Sequence, residues 1–177
     1  MKQDIKFQWN NLENKRVALM TSLSKYNNDI LNKKPTQEVW STVQVMQHLM
    51  NAEMQSLHYM KKKLSHSVNI PKAGIKSRLR RFALRIAFVL PFKYKAPQQL
   101  EIFPDYSDFE ILKFQWASQR LELQDFIEML PDNIFCSEIW KHPIMGKMTI
   151  SQMIDFFELH FDRHQRQIEK TIKIVHN

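Results

Sequence analysis

Two histidines four residues apart, near the carboxyl end of the chain, carry the clearest chemical potential in this sequence. They are His160 and His164 in the stretch ELHFDRHQRQI, residues 158–168. In an α-helix, side chains four positions apart lie one above the other on the same face. The two imidazoles could therefore share a metal ion, or they could be two polar residues that only happen to share a helix face.

A third histidine strengthens the metal interpretation. His160 and His164 lie on the apolar stripe of a predicted helix, and His48 lies on the apolar stripe of another. Burying an imidazole without a partner costs a few kcal/mol, so a core that holds three of them needs compensation. A divalent cation supplies it, and three protein ligands with open positions are typical of a catalytic site rather than a closed structural one. The alternative is that each ring is a core residue with its own hydrogen bonds.

Two familiar metal patterns are absent. A zinc-protease helix needs Glu directly after its first histidine, where this chain has Phe161, and no paired Glu-x-x-His motif of a di-iron bundle occurs. A site rich in imidazole and poor in carboxylate favours zinc, nickel, iron or copper over magnesium or calcium. The remaining histidines are predicted to be surface residues: His58, His66, His142 and His176.

Composition and periodicity predict the helices that must position these side chains. The 177 residues include only 2 glycines, and helix-forming residues dominate. One helix is predicted over residues 5–31, and others begin at the capping boxes STVQ (41–44), SDFE (107–110) and TISQ (149–152). The third is predicted to bury Ile111, Phe114, Ser118 and Leu121. We expect a single all-α domain, residues 1–177, built as a four-helix bundle.

The connection between the second and third long helices is unusual in length and charge. It is predicted to contain a short extra helix over residues 75–90, followed by an extended stretch over 97–104. No acidic residue occurs between Glu53 and Glu101, an interval with eleven Lys or Arg residues. The basic segment 72–95 interleaves cations with apolar residues, which suits a helix packed on the bundle, a lid, a partner contact or a membrane-surface helix. Basic charge alone is weak support for nucleic acid binding, which we do not expect.

Cysteine usage and hydropathy indicate the compartment. Cys136 is the sole cysteine, so an internal disulfide is impossible and a reducing environment fits. No secretory signal is visible at the start of the sequence, and no apolar run approaches the roughly 20 residues of a membrane-spanning helix. We therefore expect a cytoplasmic protein. Cys136 itself is predicted to be a small buried residue rather than a nucleophile.

Three pieces of the sequence resemble the DinB-like superfamily of bacterial metal-binding helical bundles. They are WSTVQVMQHLMNAE (40–53), KAPQQLEIFP (95–104) and HPIMGKMTISQMIDFFELHFDRHQRQI (142–168). The resemblance implies an up-down-down-up bundle with a long crossover after helix two. It also implies that His48, His160 and His164 are the metal ligands and that the protein is a homodimer.

The same resemblance implies a range of activities rather than one. The expected function is metal-dependent activation of a low-molecular-weight thiol, as in thiol S-transferases, or of water, as in hydrolases, against a small substrate. The cofactor is expected to be zinc or nickel, with iron as a further candidate, and no catalytic residue can be assigned. Glu53, Asp155 and Asp162 could orient the ligands or could be ordinary salt-bridged carboxylates. The alternatives are a bundle that keeps metal for stability alone, or an interaction or membrane-surface module that uses the basic segment.

Overall fold

Four long helices form the body of the protein, with two smaller helices and a short hairpin between them. The structure is a computed structural model that describes residues 2–66, 69–89, 103–104 and 106–176, without the side chains of Arg78 and Val89. The helices are α1 (Gln3–Leu23), α2 (Asn28–Asn32), α3 (Thr42–His66), α4 (Ile75–Val89), α5 (Phe109–Glu128) and α6 (Ile150–His176). A 3-10 turn (Asp132–Cys136) precedes the antiparallel strands β1 (Trp140–His142) and β2 (Gly146–Met148). The predicted all-α class is confirmed.

Side-chain contacts between the long helices establish their directions. Residue numbers rise together along α1 and α6, where Gln8 contacts Asp155 at 2.9 Å and Lys15 contacts Asp162 at 2.7 Å, so these helices are parallel. Along α1 and α5 the residue numbers run in opposite directions, so these helices are antiparallel. Trp9 donates to Gln124 at 3.0 Å, and Glu13 contacts Arg120 at 3.4 Å. Along α3 and α5 the residue numbers rise together, because Glu53 contacts Arg120 and Lys61 contacts Glu122. These two helices are therefore parallel. The bundle is therefore up-down-down-up, as predicted.

Two of the predicted capping boxes begin the helices that carry the histidines. The Ser41 N–H donates to Gln44 Oε1 at 3.1 Å, and the Gln44 N–H donates to Ser41 Oγ at 3.4 Å. Thr149 and Gln152 make the same reciprocal pair at 3.0 and 3.3 Å. Each box satisfies backbone donors that a helix start leaves without partners. The start of α3 and of α6 is thus fixed locally.

The third predicted capping box does not form, and the residue that caps α5 lies one position later than predicted. Asp108, not Ser107, caps α5, and its Oδ1 accepts the Ile111 N–H at 2.9 Å. Ser107 instead accepts a hydrogen bond from Gln47 at 2.7 Å, which ties this connection to α3. Ser and Asp are both good caps, and the tertiary contact of Ser107 decides between them.

The first predicted helix, residues 5–31, is wrong in its continuity. The chain leaves helical geometry after Leu23, and the short α2 begins at Asn28. Asn27 caps α2 by accepting the Ile30 N–H at 2.9 Å. An asparagine side chain competes for backbone hydrogen bonds, so it favours a new start over continuation of the helix.

The buried face predicted for α5 is also wrong. Ile111, Phe114 and Leu121 are exposed, whereas the core side of α5 is formed by Phe109, Leu112, Trp116, Arg120, Leu123 and Ile127. The helix carries apolar residues on two opposite sides, so periodicity alone cannot select the core side. The buried Arg120 also makes the core side of α5 less apolar, so the sequence pattern does not mark it as the core side.

The predicted extra helix is confirmed as α4, which packs against α6 and β2. Its predicted end at residue 90 and the remainder of the basic segment lie outside the described residues. The same holds for the predicted extended stretch 97–104, apart from Phe103 and Pro104. The Phe103 ring packs edge-on against Trp40 with 5.1 Å between ring centroids, so the crossover returns to the start of α3.

Candidate metal centre

Helices α3 and α6 bring His48, His160 and His164 together. One ligand atom from each ring lies within 4.8 Å of the others, and His48 Nε2 is 3.1 Å from His160 Nε2. The ring centroids are 4.5–5.0 Å apart and every pair is edge-on. Residues from two helices of opposite direction therefore converge on one point.

The separation of these nitrogens fits a shared cation. Zinc–nitrogen bonds of about 2.0–2.1 Å in a tetrahedral site place ligand nitrogens about 3.3 Å apart. Two neutral imidazole nitrogens at 3.1 Å with lone pairs facing each other would repel unless a proton or a cation lies between them. Within the described part of the chain, no other group of three or more His, Cys, Asp or Glu residues has this geometry.

The surroundings keep the rings of His160 and His164 neutral, which metal binding requires. Burial first, and then the neighbouring His164 and His48, lower the pKa of His160 well below its usual 6.5. Burial, with a smaller contribution from His48, lowers the pKa of His164 to about 3, although its bond to Gln167 opposes the shift. At neutral pH both rings therefore carry an available lone pair.

Gln167 orients the ring of His164. His164 Nδ1 lies 2.9 Å from Gln167 Oε1, an acceptor, so Nδ1 carries the proton. This tautomer leaves the Nε2 lone pair for the cluster. Histidine ligands are commonly held in this way by a hydrogen bond to their other nitrogen.

Aromatic rings hold the other two histidines. Phe156 stacks on His160 with 5.1 Å between centroids and 16° between planes. Trp40 packs on His48 at 5.1 Å. Trp40, which lies just before α3, also lines the cavity beside the cluster.

A cavity of about 780 Å³ opens beside the three histidines. Its size is in the range of small-molecule sites, which are about 300–1,000 Å³. Most of its wall is aromatic or apolar, and α4 supplies one side of it. The aromatic residues of the wall are Trp40, Tyr59, Phe88, Trp140 and Phe156.

His142 also lines the cavity, contrary to the predicted surface position. It is buried at the end of β1, and its Nδ1 accepts the N–H groups of Ile144 and Met145 at 3.1 and 3.0 Å. Because Nδ1 is the acceptor, Nε2 carries the proton of the neutral ring. Burial lowers the pKa of His142 to about 4. The sequence HPIMG (142–146), which begins with His142 and forms the turn between β1 and β2, was the sequence signal that could have indicated this position. The other three histidines predicted at the surface are exposed: His58, His66 and His176.

The three carboxylates that lie near the histidines in sequence form ion pairs with Lys or Arg side chains. Glu53 pairs with Arg120 at 2.6 Å, Asp162 pairs with Lys15 at 2.7 Å, and Asp155 contacts Arg81. None of the three lines the cavity. The ion-pair interpretation of these residues fits these contacts better than a role in orienting the histidines.

Cys136 was predicted to be buried, and this is wrong. It is exposed at the end of the 3-10 turn. Its neighbours Phe135 and Ser137 take the buried positions instead. Cys136 does not line the cavity.

The fold and the cluster define a class of protein: an up-down-down-up helical bundle with three converging histidines. The family model of the DinB superfamily matches residues 11–168, and the chain belongs to this superfamily. It is similar to the uncharacterized protein YuaE of Bacillus subtilis (strain 168), with 28% identity over 155 residues, 88% of this chain and 91% of that protein. No solved structure matches the chain. In the described part of the chain, no helix has the length and apolar character needed to cross a bilayer.

Proposed function

We propose that His48, His160 and His164 bind one divalent cation and that the protein is a metal-dependent enzyme. The observation that carries this proposal is the convergence of three imidazole nitrogens, within 4.8 Å of one another, at the wall of a cavity. An all-imidazole donor set suits zinc or nickel first and iron next. Three ligands leave positions open for a substrate.

The proposed reaction joins a low-molecular-weight thiol to a small electrophile, with hydrolysis as the runner-up. When bound, the cation supplies Lewis-acid chemistry, since it lowers the pKa of a thiol or of water near it. The aromatic wall formed by Trp40, Phe88 and Trp140 binds apolar parts of a substrate and excludes water. The His142 Nε2–H, neutral over the physiological range, is a hydrogen-bond donor for a substrate oxygen.

The test measures metal content and thiol conjugation together. Purified protein is expected to hold about one divalent ion and to conjugate at least one of several thiols to a model electrophile. His160→Ala is expected to lose both properties, and His58→Ala, which changes an exposed histidine on α3, is expected to keep both. Full metal content in the His160→Ala variant would refute the ligand assignment. Metal without conjugation or hydrolysis, but with a melting temperature that falls on chelation, would support the purely stabilising role instead.

We also propose that the protein is a homodimer that pairs through α5. Ile111, Phe114 and Leu121 are 60%, 74% and 62% exposed. Their spacings of three and seven residues place them on one seam, as in helices that pair side by side. Glu110 and Lys113 border this seam and form an ion pair with each other, so both charge signs are present. A seam with mixed charges can face a second copy of itself.

We place this dimer in the cytoplasm. The exposed thiol of Cys136 has no possible disulfide partner within the chain, which suits a reducing compartment. Recovery of the tagged chain inside cells would support this location, and recovery from the culture medium would contradict it.

A further inference from the structure

Helix α4 is apolar on two opposite faces. Its inner face buries Ser77, Leu84 and Ala87 against the bundle. Its outer face carries Ile75, Leu79, Phe82 and Ile86, which are 76%, 63%, 65% and 44% exposed. We call these four residues the outer ridge.

The outer ridge is continuous and points away from the bundle. Its spacings of four, three and four residues keep the side chains on one stripe, about 16 Å long at 1.5 Å per residue. Leu84, which is fully buried, lies on the other side of the same helix. A helix that is apolar on two sides is normally covered on both, so the ridge indicates a partner.

The borders of the outer ridge are positively charged. Lys76 is exposed on one side; on the other, Arg85 is 57% exposed at its side chain and also reaches Asp155, with 3.6 Å between guanidinium and carboxylate. Arg80 and Arg81 reach down to Glu138 and Asp155, so these two carboxylates lie on the bundle side of the helix. The chain has no acidic residue between Glu53 and Glu101. A partner must therefore offer both an apolar phase and negative charge.

We propose that α4 docks on the surface of an anionic phospholipid bilayer, with the outer ridge among the acyl chains and the cations among the headgroups. A helix lying in this interface buries its apolar side about 5–10 Å deep, and each cation adds attraction to anionic lipid. A second copy fits less well, because two such ridges would bring Lys and Arg together from both sides. Nucleic acid offers phosphates but no phase in which the ridge can be buried.

Docking would bring the cavity close to the lipid. The inner residues Leu84, Ala87 and Phe88 of α4 line the cavity, while the outer ridge lies one helix diameter away, about 10 Å. An apolar substrate dissolved in the bilayer would then have a short path to the cavity. The docking itself does not depend on the metal.

The experiment is co-sedimentation of the full chain with vesicles at low and at high salt. We expect binding to phosphatidylcholine vesicles that contain phosphatidylglycerol, weaker binding at high salt, and little binding to phosphatidylcholine alone. Phe82→Ser is expected to weaken binding at least about tenfold, because it removes one large side chain from the ridge. Phe7→Ser is the matched control, since Phe7 is a phenylalanine on α1 with 67% exposure. Circular dichroism checks both variants, and Leu79→Ser replaces Phe82→Ser if the latter does not fold.

Three results would overturn the proposal. The first is no binding to anionic vesicles at low salt. The second is equal binding by wild type and by the ridge variants. The third is a wild-type oligomer that needs no lipid and that Phe82→Ser converts to monomer, which would make a second copy the occupant of the ridge.

Discussion

The proposed metal chemistry depends on three imidazole rings that the fold holds close together. Burial is the main cause of the lowered pKa values of His160 and His164, and the same burial removes water that would compete for their ring nitrogens. One ring, His164, is further fixed by Gln167. This hydrogen bond can be tested without touching a proposed ligand.

Gln167→Ala is expected to weaken metal binding by about 10–100-fold, the usual effect of removing a hydrogen bond that orients a histidine ligand. Competition with a chromogenic chelator measures the affinity. Gln165→Ala is the matched control, because Gln165 lies on the same helix and bonds Glu169 instead. Equal affinities for the two variants would show that Gln167 does not orient His164.

The buried histidines also predict how stability depends on pH. The pKa of His142 is about 4 in the folded protein and near 6.5 in the unfolded chain. Between pH 6.5 and 4, His142 is therefore protonated in the unfolded chain and neutral in the folded protein. The stability of chelator-treated protein is therefore full above pH 6.5 and is lost as the pH falls towards 4. His142 contributes a slope of about 1.4 kcal/mol per pH unit in this window. His160 and His164 add slopes of the same sign, because their pKa values are lowered too.

Urea unfolding at several pH values between 7 and 4 measures this slope. His142→Asn is expected to reduce it by about 1.4 kcal/mol per pH unit, because one proton fewer is taken up on unfolding. His58→Asn, which changes an exposed histidine, is expected to leave the slope unchanged. A flat profile in the wild type would contradict the neutral, buried state of these rings.

At the scale of elements, α3 and α5 are joined by an ion pair inside the core. Arg120 and Glu53 are both almost fully buried, and the guanidinium makes two bonds of 2.6 Å to the carboxylate. The Trp116 Nε1–H donates to the same carboxylate at 2.9 Å. The Arg120 guanidinium also lies over the rings of Trp9 and Trp116, at 5.6 and 5.7 Å. The pair thus connects α3 and α5 with the start of α1.

Arg120→Met is expected to lower the free energy of unfolding by about 3–5 kcal/mol, because it leaves the Glu53 carboxylate buried without its cation. Chemical denaturation measures the loss. The control is Lys61→Met, which breaks an exposed ion pair between the same two helices and should cost about 0–1 kcal/mol. The double variant Glu53→Met with Arg120→Met should recover most of the loss. An Arg120→Met variant as stable as Lys61→Met would contradict the role of the buried pair.

At the scale of the molecule, the candidate metal site and the proposed dimer seam lie on different sides of the bundle. The cavity, the histidines and α4 lie on the side formed by α3 and α6. The exposed seam of α5 lies beside α1, where Val17 and Phe114 line a shared groove. A dimer through α5 therefore leaves both cavities and both α4 helices accessible.

The proposed dimer is tested by sedimentation equilibrium. Phe114→Glu, in the centre of the α5 seam, is expected to shift the protein to monomer, since it places a charge where an apolar contact is required. Phe7→Glu makes the same exchange at an exposed position of α1 outside the seam, and it should leave the dimer intact. A wild-type monomer at micromolar concentration would remove the dimer proposal and leave the metal centre unaffected.

The sequence by itself determined the helices that carry the site and the histidines on them. Capping at Ser41 and Thr149 and the apolar period of α6 are local properties, because they depend on residues three or four positions apart. The family resemblance, confirmed over residues 11–168, extended this to the bundle topology.

Only the tertiary structure decided which side of a helix faces the core when both sides are apolar. The core side of α5, the outward position of Phe82 on α4 and the burial of His142 all depend on what packs against each element. Such contacts join residues far apart in the chain, so no local pattern contains them. The same physical reason explains why the three histidines could be found from the sequence but the cavity beside them could not.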